Sequence, residues 1–223
     1  MIALVDYGMG NLRSVEKALQ RVGGKVRMAK DAETLAAADR VVLPGVGAFG
    51  DCMRNLSKQG LIDPLKQWIR SGKPFLGICL GYQALFEGSE EDDRAPGLGI
   101  FKGRVIRFPS DSTLKVPQIG WNRISQQSAV SGQQSSFGNC PLLQGVDEGS
   151  HVYFVHSYFP EPAERDLACA ETEYGIRFAS MLWRDRIFAC QFHPEKSQDV
   201  GLKILKNFVQ LPPGKGGLSD RED

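Results

Sequence analysis

The chain has 223 residues, 42% of them hydrophobic and 24% charged, which is ordinary for a globular domain with a filled core. Its 27 basic and 26 acidic side chains nearly cancel, and no long basic stretch is present, so nucleic acid is not an expected partner. The opening apolar run lacks the features of a signal peptide, and no segment is long enough to cross a membrane. The 5 cysteines form no Cys-x-x-Cys pair, so neither disulfides nor a metal site are expected. These observations favour a reducing cytoplasm, and no cofactor is expected.

The first part of the chain alternates strand-like and helix-like stretches, which is typical of parallel strands joined by crossover helices. A helix is predicted after Asn11, which is its candidate N-cap, and two amphipathic stretches precede a buried strand at 74–78. The other predicted elements are strands at 2–5, 25–28 and 40–43 and a helix at 33–38. We therefore predict an α/β fold with an open, mostly parallel (flavodoxin-like) sheet flanked by helices.

The second half of the chain shows shorter, more alternating runs, which favour additional antiparallel strands. Strands are predicted at 103–108, 120–124, 151–159, 167–172, 179–183 and 187–192, and a helix at 199–209. One domain is expected over residues 1–211, with a disordered tail over 212–223. The acidic segment 87–93 and the Gln/Ser-rich segment 126–134 are predicted to be solvated loops rather than sites.

Residues 75–83 combine a buried strand with a sharp turn into a helix-like stretch. Cys79 lies at the apex of the turn in a Gly-x-Cys-x-Gly sequence, whose glycines would let backbone and substrate approach it. Amide groups and the dipole at the start of the following helix favour the thiolate, which is the nucleophilic form. The turn therefore predicts a nucleophile elbow, with a small buried cysteine as the alternative.

Residues 191–197 follow a strand-like run and contain the sequence His-Pro-Glu. Proline keeps the residue before it extended, and residues two apart in an extended chain point to the same side. Of the 3 histidines, His193 has an acid, Glu195, at this spacing, so the carboxylate could orient the imidazole. With Cys79 these residues supply the groups of Cys-His-Glu catalysis, if the ends of the parallel strands meet at one edge. A surface histidine before a turn is the alternative.

The glycine-rich stretch 43–50 would place a turn beside the elbow. Attack of a thiol on a carbonyl creates an oxyanion, which backbone N–H groups can stabilise. Gly47 and Leu80 are the predicted donors. A plain strand-to-helix turn and a phosphate cradle are the alternatives, although the glycine spacing matches neither the Walker loop nor the dinucleotide fingerprint.

The elbow at 77–83 and the His-Pro-Glu sequence resemble the motifs of the class I (triad) glutamine amidotransferases, which hydrolyse glutamine and pass the ammonia to a synthase. Within that class, four further strings are similar to the glutaminase subunits of imidazole glycerol phosphate synthases. These strings lie at 6–12, 44–49, 120–122 and 153–158. The resemblance covers residues 1 to about 210.

This resemblance implies a mechanism. Cys79 would attack the side-chain amide of glutamine and form a glutamyl thioester, with the Leu80 and Gly47 amides holding the oxyanion. His193, oriented by Glu195, would protonate the departing ammonia and then activate the water that releases glutamate. The substrate-binding residues that it implies are Gln83, Ser157 and Tyr158. Gln83 could equally be an ordinary residue of the helix surface.

The resemblance also implies a partner. Such subunits form heterodimers with a (β/α)8 barrel cyclase, which receives the ammonia and makes imidazole glycerol phosphate and an aminoimidazole carboxamide ribotide in histidine biosynthesis. Asn11, Trp121 and Lys196 match positions of the docking face, with core packing as the alternative for Trp121. Gln118 departs from the pattern, because related subunits often carry histidine there.

Two rival functions stay open at this point. A class I amidotransferase could serve pyridoxal phosphate or anthranilate synthesis instead, although the strings at 6–12 and 153–158 argue against both. The chain could also be a binding subunit that keeps the fold without turnover. Retention of Cys79, His193 and Glu195 argues against that second reading.

Overall fold

The computed structural model describes residues 1–109, 114–125 and 137–212. The helices in these parts are α1 (Leu12–Arg21), α2 (Ala32–Ala36), α3 (Phe49–Lys58), α4 (Ile62–Arg70), α5 (Leu80–Gln83) and α6 (Gln198–Gln210). The strands are β1 (Ile2–Val5), β2 (Val26–Ala29), β3 (Arg40–Gly45), β4 (Phe75–Cys79), β5 (Gly88–Ser89), β6 (Gly103–Arg107), β7 (Gln118–Arg123), β8 (His151–His156), β9 (Tyr158–Pro162), β10 (Ala168–Tyr174), β11 (Ile176–Arg184) and β12 (Ile187–Cys190). Single turns of 3-10 helix lie at Pro141–Leu143, Arg165–Leu167 and Pro194–Lys196.

Seven of these strands form the central sheet, in the order β10-β11-β12-β4-β3-β1-β2. Strands β2, β1, β3, β4 and β12 run parallel, whereas β11 and β10 continue the sheet in antiparallel pairing. Two smaller sheets, β5-β6-β9 and β7-β8, lie beside it. The predicted α/β fold class is confirmed, including the antiparallel strands of the C-terminal half.

The central sheet is covered on both faces, because successive strand residues point to opposite sides. In β1, Ala3 and Val5 pack in the cluster that contains the buried faces of α2, α3, α4 and α5. Ile2 and Leu4 pack instead with the buried residues of α1 and α6. All four side chains are nearly inaccessible to water, so the parallel strands form a rigid platform for the loops at their ends.

The predicted strand at 151–159 is wrong in one respect. The chain leaves one sheet at Ser157 and enters another, since β8 pairs with β7 and β9 pairs with β6. No glycine or proline marks this break in the sequence, where His156 and Ser157 stand between apolar and aromatic residues on both sides. The two partner strands therefore decide where the run divides, and they come from distant parts of the chain.

The acidic segment 87–93 is not the freely solvated loop that its composition predicts. Gly88–Ser89 forms β5 beside β6, and Ser89 is fully buried. The carboxylate of Glu91 accepts a hydrogen bond of 2.7 Å from the Phe49 N–H at the start of α3. The predicted loop at 126–134 and all but the first residue of the predicted tail at 212–223 lie outside the described residues.

Asn11 is the N-cap of α1, as predicted, although its side chain does not form the cap. It occupies the N-cap position of α1, and its carbonyl accepts the N–H groups of Ser14 and Val15. Its side chain makes no capping hydrogen bond, because φ −84° and ψ 60° lie outside the extended region from which a cap reaches the first turn. Within the described residues, no helix combines the length and apolar character needed to cross a membrane.

Candidate active site

The carboxyl ends of three adjacent parallel strands bring the predicted catalytic segments together. Gly45 at the end of β3 stands opposite Cys79 at the end of β4, and Cys190 at the end of β12 stands opposite Ile78. The chain continues from β12 directly into the His-Pro-Glu sequence. The elbow, the glycine-rich turn and the candidate base therefore meet at one edge of the sheet, where open α/β sheets bind their ligands.

Cys79 lies at a strained turn between β4 and α5. Its φ of +53° is uncommon for a residue other than glycine, and such strain is found where the surrounding structure fixes a side chain for function. A Cβ atom at Gly81 would overlap the Leu43 carbonyl, and one at Gly77 would lie 2.7 Å from the Gly81 carbonyl oxygen. Both glycines are therefore required for the close packing of the elbow.

His193 and Glu195 form a buried pair. Nδ1 of His193 lies 2.8 Å from Oε1 of Glu195, and the two side chains are 2% and 1% exposed. Because a carboxylate only accepts, Nδ1 carries the proton and Nε2 is left for the substrate or the thiol. The Ser197 hydroxyl donates to the His193 carbonyl over 2.6 Å and accepts the N–H of Tyr153, so the loop is fixed to β8.

The electrostatics of this pair favour a charged imidazole. Burial lowers the pKa of His193, but the electrostatic interaction with Cys79 and the interaction and hydrogen bond with Glu195 more than compensate and raise the pKa to about 10. Among the described residues, no hydrogen-bond partner is in reach of His193 Nε2 or of the second oxygen of Glu195. His193 is thus close enough to Cys79 for the two groups to interact electrostatically, while Nε2 lies outside hydrogen-bond distance of the described residues in this structure.

A cavity of about 400 Å³ opens beside Cys79. It is lined by Val46, Gly47, Cys79, Leu80, Gln83, Glu91, Pro117, Val155, His156, Ser157, Tyr158 and Lys196. The predicted nucleophile, both predicted oxyanion donors and all three predicted substrate-binding residues are therefore in one place. A larger cavity of about 700 Å³ lies over β9, β10 and β11 and contains none of the predicted site residues, so the smaller cavity is the candidate site.

The glycine-rich turn packs against the loop that follows β1. The Tyr7 hydroxyl donates to the Pro44 carbonyl over 3.0 Å, and a Cβ atom at Gly45 would lie 2.5 Å from that hydroxyl. Gly47 has a φ of +100°, and a Cβ atom there would lie 2.7 Å from the end of the Met9 side chain. These contacts explain why glycine occupies both positions of the turn.

The three residues predicted for partner docking do not all line the cavity, unlike the predicted substrate-binding residues. Lys196 lines the cavity and lies with its Nζ 5.7 Å from the centre of the Tyr153 ring. Trp121 is 46% exposed on β7 and meets the same ring edge-on, so the alternative of core packing does not apply. Asn11 is exposed and lies outside the cavity. Gln118, the departure from the family pattern, is buried on β7.

Three residues at the site were not assigned a role from the sequence. Glu91 belongs to an acidic segment whose composition gave no sign of the cavity. His156 donates from Nδ1 to the Tyr158 carbonyl over 2.9 Å, and burial lowers its pKa to about 4, so it is neutral near pH 7. Gln191 places its Nε2 3.6 Å from Cys79 Sγ, and its position just before the His-Pro-Glu sequence was the available signal.

By fold and site the molecule is a class I glutamine amidotransferase, and the family model described as glutamine amidotransferase class-I matches residues 3–211. The chain is 50% identical to the imidazole glycerol phosphate synthase subunit HisH of Syntrophotalea carbinolica, over 95% of this chain and 100% of that protein. It is 47% identical to the subunit of the same name from Caldanaerobacter subterraneus subsp. tengcongensis, over 95% and 98% of the two chains. The chain therefore belongs to the family of the imidazole glycerol phosphate synthase subunit HisH.

Solved structures support the fold at much lower identity. A crystal structure of a glutamine amidotransferase aligns with a TM-score of 0.68 at 17% identity, covering 93% of this chain and 98% of that one. The structure of PurLQS from Thermotoga maritima aligns with a TM-score of 0.70 at 16% identity, covering 93% and 96%. At such identities the likeness concerns the architecture of the chain.

Proposed function

We propose that this chain is the glutaminase subunit of an imidazole glycerol phosphate synthase, hydrolysing glutamine and delivering the ammonia to a cyclase subunit in histidine biosynthesis. The observation that carries the proposal is the proximity of the buried His193–Glu195 pair to Cys79, which stands on the elbow and lines the cavity. The family of the chain selects this synthase over pyridoxal phosphate and anthranilate synthesis.

In the reactive state the Cys79 proton lies on His193 Nε2, which the raised pKa of His193 favours. The sulfur then attacks the side-chain carbonyl carbon of glutamine, and the N–H groups of Leu80 and Gly47 stabilise the oxyanion. His193 returns the proton to the departing nitrogen, ammonia leaves and a glutamyl thioester remains. Water, deprotonated by His193, attacks the thioester and releases glutamate and the thiol, while Glu195 stabilises the imidazolium in both halves.

Glutamine would bind with its amide toward Cys79 and its amino-acid end toward the opposite wall of the cavity. Glu91, which lines the cavity, supplies a carboxylate that suits the ammonium group of the substrate. Gln83 and the backbone at Ser157 and Tyr158 supply further polar groups. A site with one carboxylate and several amides accepts a neutral amide side chain on a zwitterionic backbone.

The partner we propose is a cyclase subunit with a (β/α)8 barrel, joined in a heterodimer through a face that includes Asn11, Trp121 and Lys196. Large hydrophobic side chains exposed among the described residues include Val46 (37%), Ile119 (63%) and Trp121 (46%). Val46 lines the cavity, so covering this face would also cover the catalytic groups. One amidotransferase domain over residues 1–211 and a cytoplasmic location belong to the same proposal.

The experiment that tests the proposal uses a glutamine analogue with an electrophilic ketone in place of the amide. Incubation of the full chain with its cyclase subunit should label Cys79, detected by mass spectrometry of its peptide, and excess glutamine should protect it. We expect weak glutamine hydrolysis by the chain alone and strong stimulation by the cyclase with its nucleotide ligand. Labelling that ignores glutamine, or that falls on another residue, would contradict the proposal.

A further inference from the structure

A buried series of hydrogen bonds joins the nucleophile to Tyr158 and His156 in the lining of the cavity. Gln191 Nε2 donates to Cys79 Sγ over 3.6 Å, and Gln191 Oε1 accepts from Gln83 Nε2 over 3.2 Å. Gln83 Nε2 donates a second time, to the Tyr158 carbonyl, over 3.0 Å. The same carbonyl accepts the Nδ1–H of His156 over 2.9 Å. Gln191 is fully buried and Gln83 is 4% exposed, so water does not replace these bonds.

The Tyr158 carbonyl determines which groups donate and which accept in this series of hydrogen bonds. The Tyr158 carbonyl can only accept, so the group of Gln83 that faces it must be the amide nitrogen. Both hydrogens of that nitrogen are then used, one on Tyr158 and one on Gln191, and the Gln83 oxygen is left for the cavity. Because Gln83 presents a donor to Gln191, the Gln191 oxygen must face Gln83, and its nitrogen must face the sulfur of Cys79.

Reversing the side-chain amide of Gln83 or of Gln191 would place two hydrogen-bond acceptors against each other away from water. A flipped Gln83 would set its oxygen against the Tyr158 carbonyl, and a flipped Gln191 would set its oxygen against the thiolate. Unpaired buried polar groups of this kind cost free energy, so the observed orientation is the stable one. One arrangement thus fixes an acceptor for the substrate and a donor for the nucleophile.

We propose that Gln191 is a positioning residue that holds the sulfur of Cys79 with an N–H donor and, through the same amide, holds the oxygen of Gln83 toward the substrate. The inference deepens the proposed glutamine hydrolysis and rests on it for the identity of the substrate. The N–H donor stabilises the thiolate that forms when the Cys79 proton passes to His193. The Gln83 oxygen accepts from the ammonium group of glutamine.

Two variants of the full chain test this role. Gln191→Met removes both polar groups at nearly the same length, and Gln191→Glu keeps the shape but replaces the donor to sulfur with an oxygen. The rate of Cys79 alkylation by iodoacetamide is measured against pH, with the Cys79 peptide followed by mass spectrometry. Loss of one hydrogen bond to a charged group should slow alkylation at pH 7 by about 10-fold and move the profile to higher pH, more in Gln191→Glu than in Gln191→Met.

A second measurement separates positioning from simple stability. With the cyclase present, the KM for glutamine should rise in Gln191→Met, because the Gln83 oxygen is no longer held toward the substrate. Gln67→Met, the same change at an exposed position of α4, is the matched control and should leave both measurements unchanged. Thermal unfolding of all the variants shows whether the chain is folded. A folded Gln191→Met with the alkylation profile and KM of the unchanged protein would overturn the proposal.

Gln83→Met keeps the proposal testable if neither Gln191 variant folds. It does not alter the donor that touches sulfur, but it frees the Gln191 amide to turn, so the alkylation profile should move in the same direction. A pH profile of Cys79 alkylation in Gln83→Met equal to that of the unchanged protein would contradict the coupling of Gln83 to Gln191. Alkylation needs no glutamine, so a shifted profile in a chain that fails to hydrolyse glutamine would uphold the Gln191 contact and overturn the proposed function instead.

Discussion

At the scale of single residues, the environment of His193 determines how the site responds to pH. Its imidazole lies close to Cys79 and Glu195, and the interactions with these two groups overcome the effect of burial on its pKa. Burial alone would have left a neutral histidine, as happens at His156, whose ring is hydrogen-bonded to no carboxylate among the described residues. The interactions with Cys79 and with the carboxylate of Glu195 thus make His193 a base that can hold the proton of the thiol.

This environment predicts a pH dependence of stability. The pKa of His193 is raised from 6.5 to about 10, so the folded chain binds this proton more tightly than the unfolded chain. The resulting stabilisation is complete below pH 6.5 and is lost as the pH rises to about 10. Glu195→Gln should reduce that loss, as measured by urea unfolding at pH 6.5 and at pH 9.5. Equal losses in the two proteins would show that the carboxylate does not hold the proton.

At the scale of elements, the tight packing of the elbow rests on Gly81. A Cβ atom there would overlap the Leu43 carbonyl at the end of the neighbouring strand, and backbone cannot move aside as a flexible side chain can. Gly81→Ala should therefore destabilise the chain by about 3 kcal/mol and displace Cys79 from the cavity. Chemical denaturation and Cys79 alkylation measure the two effects.

The matched control for this change is Gly60→Ala, at the turn between α3 and α4, where a Cβ atom would meet no atom within 4 Å. Its φ of +66° makes alanine strained at Gly60, whereas Gly81 is not in the left-handed region, so Gly60→Ala measures the cost of backbone strain without steric overlap and Gly81→Ala measures the overlap without that strain. If Gly81→Ala were no more destabilising than Gly60→Ala, the contact with Leu43 would not be holding the elbow.

The elements of the central sheet were predictable because each has a local signal. Buried parallel strands read as short apolar runs, and the helices between them repeat apolar residues at helical spacing. The division of 151–159 at Ser157 was not predictable, because it depends on which distant strand pairs with each half. The spacing of two residues in an extended segment predicted that Glu195 lies beside His193. Glu91 is held by its hydrogen bond to the start of α3, a contact between distant segments that no local sequence pattern indicates.

At the scale of the whole molecule, the exposed face beside the cavity should decide association with the cyclase. Trp121 is half exposed and lies against Tyr153, whose ring also approaches Lys196. Aromatic side chains at the centre of an interface often contribute most of its affinity, so Trp121→Ala should weaken binding by about 10-fold or more. Lys196→Ala should weaken it less, and titration calorimetry with the purified cyclase measures both.

Lys58→Ala, at the exposed end of α3, is the control for the lysine variant and should bind as the unchanged chain does. Alkylation of Cys79 in the free chain should be the same in Trp121→Ala as in the unchanged protein, because Trp121 does not line the cavity. Full affinity in Trp121→Ala would exclude this face as the centre of the interface.

The most direct test of the central claim is product formation by the reconstituted synthase with Cys79→Ala. The sulfur of Cys79 is the proposed nucleophile, whereas the cyclase needs only ammonia. The variant should therefore form no imidazole glycerol phosphate from glutamine, yet form it at the normal rate when ammonium salt is supplied, since docking does not require the thiol. Glutamine-dependent product from Cys79→Ala at a rate near that of the unchanged chain would contradict the claim.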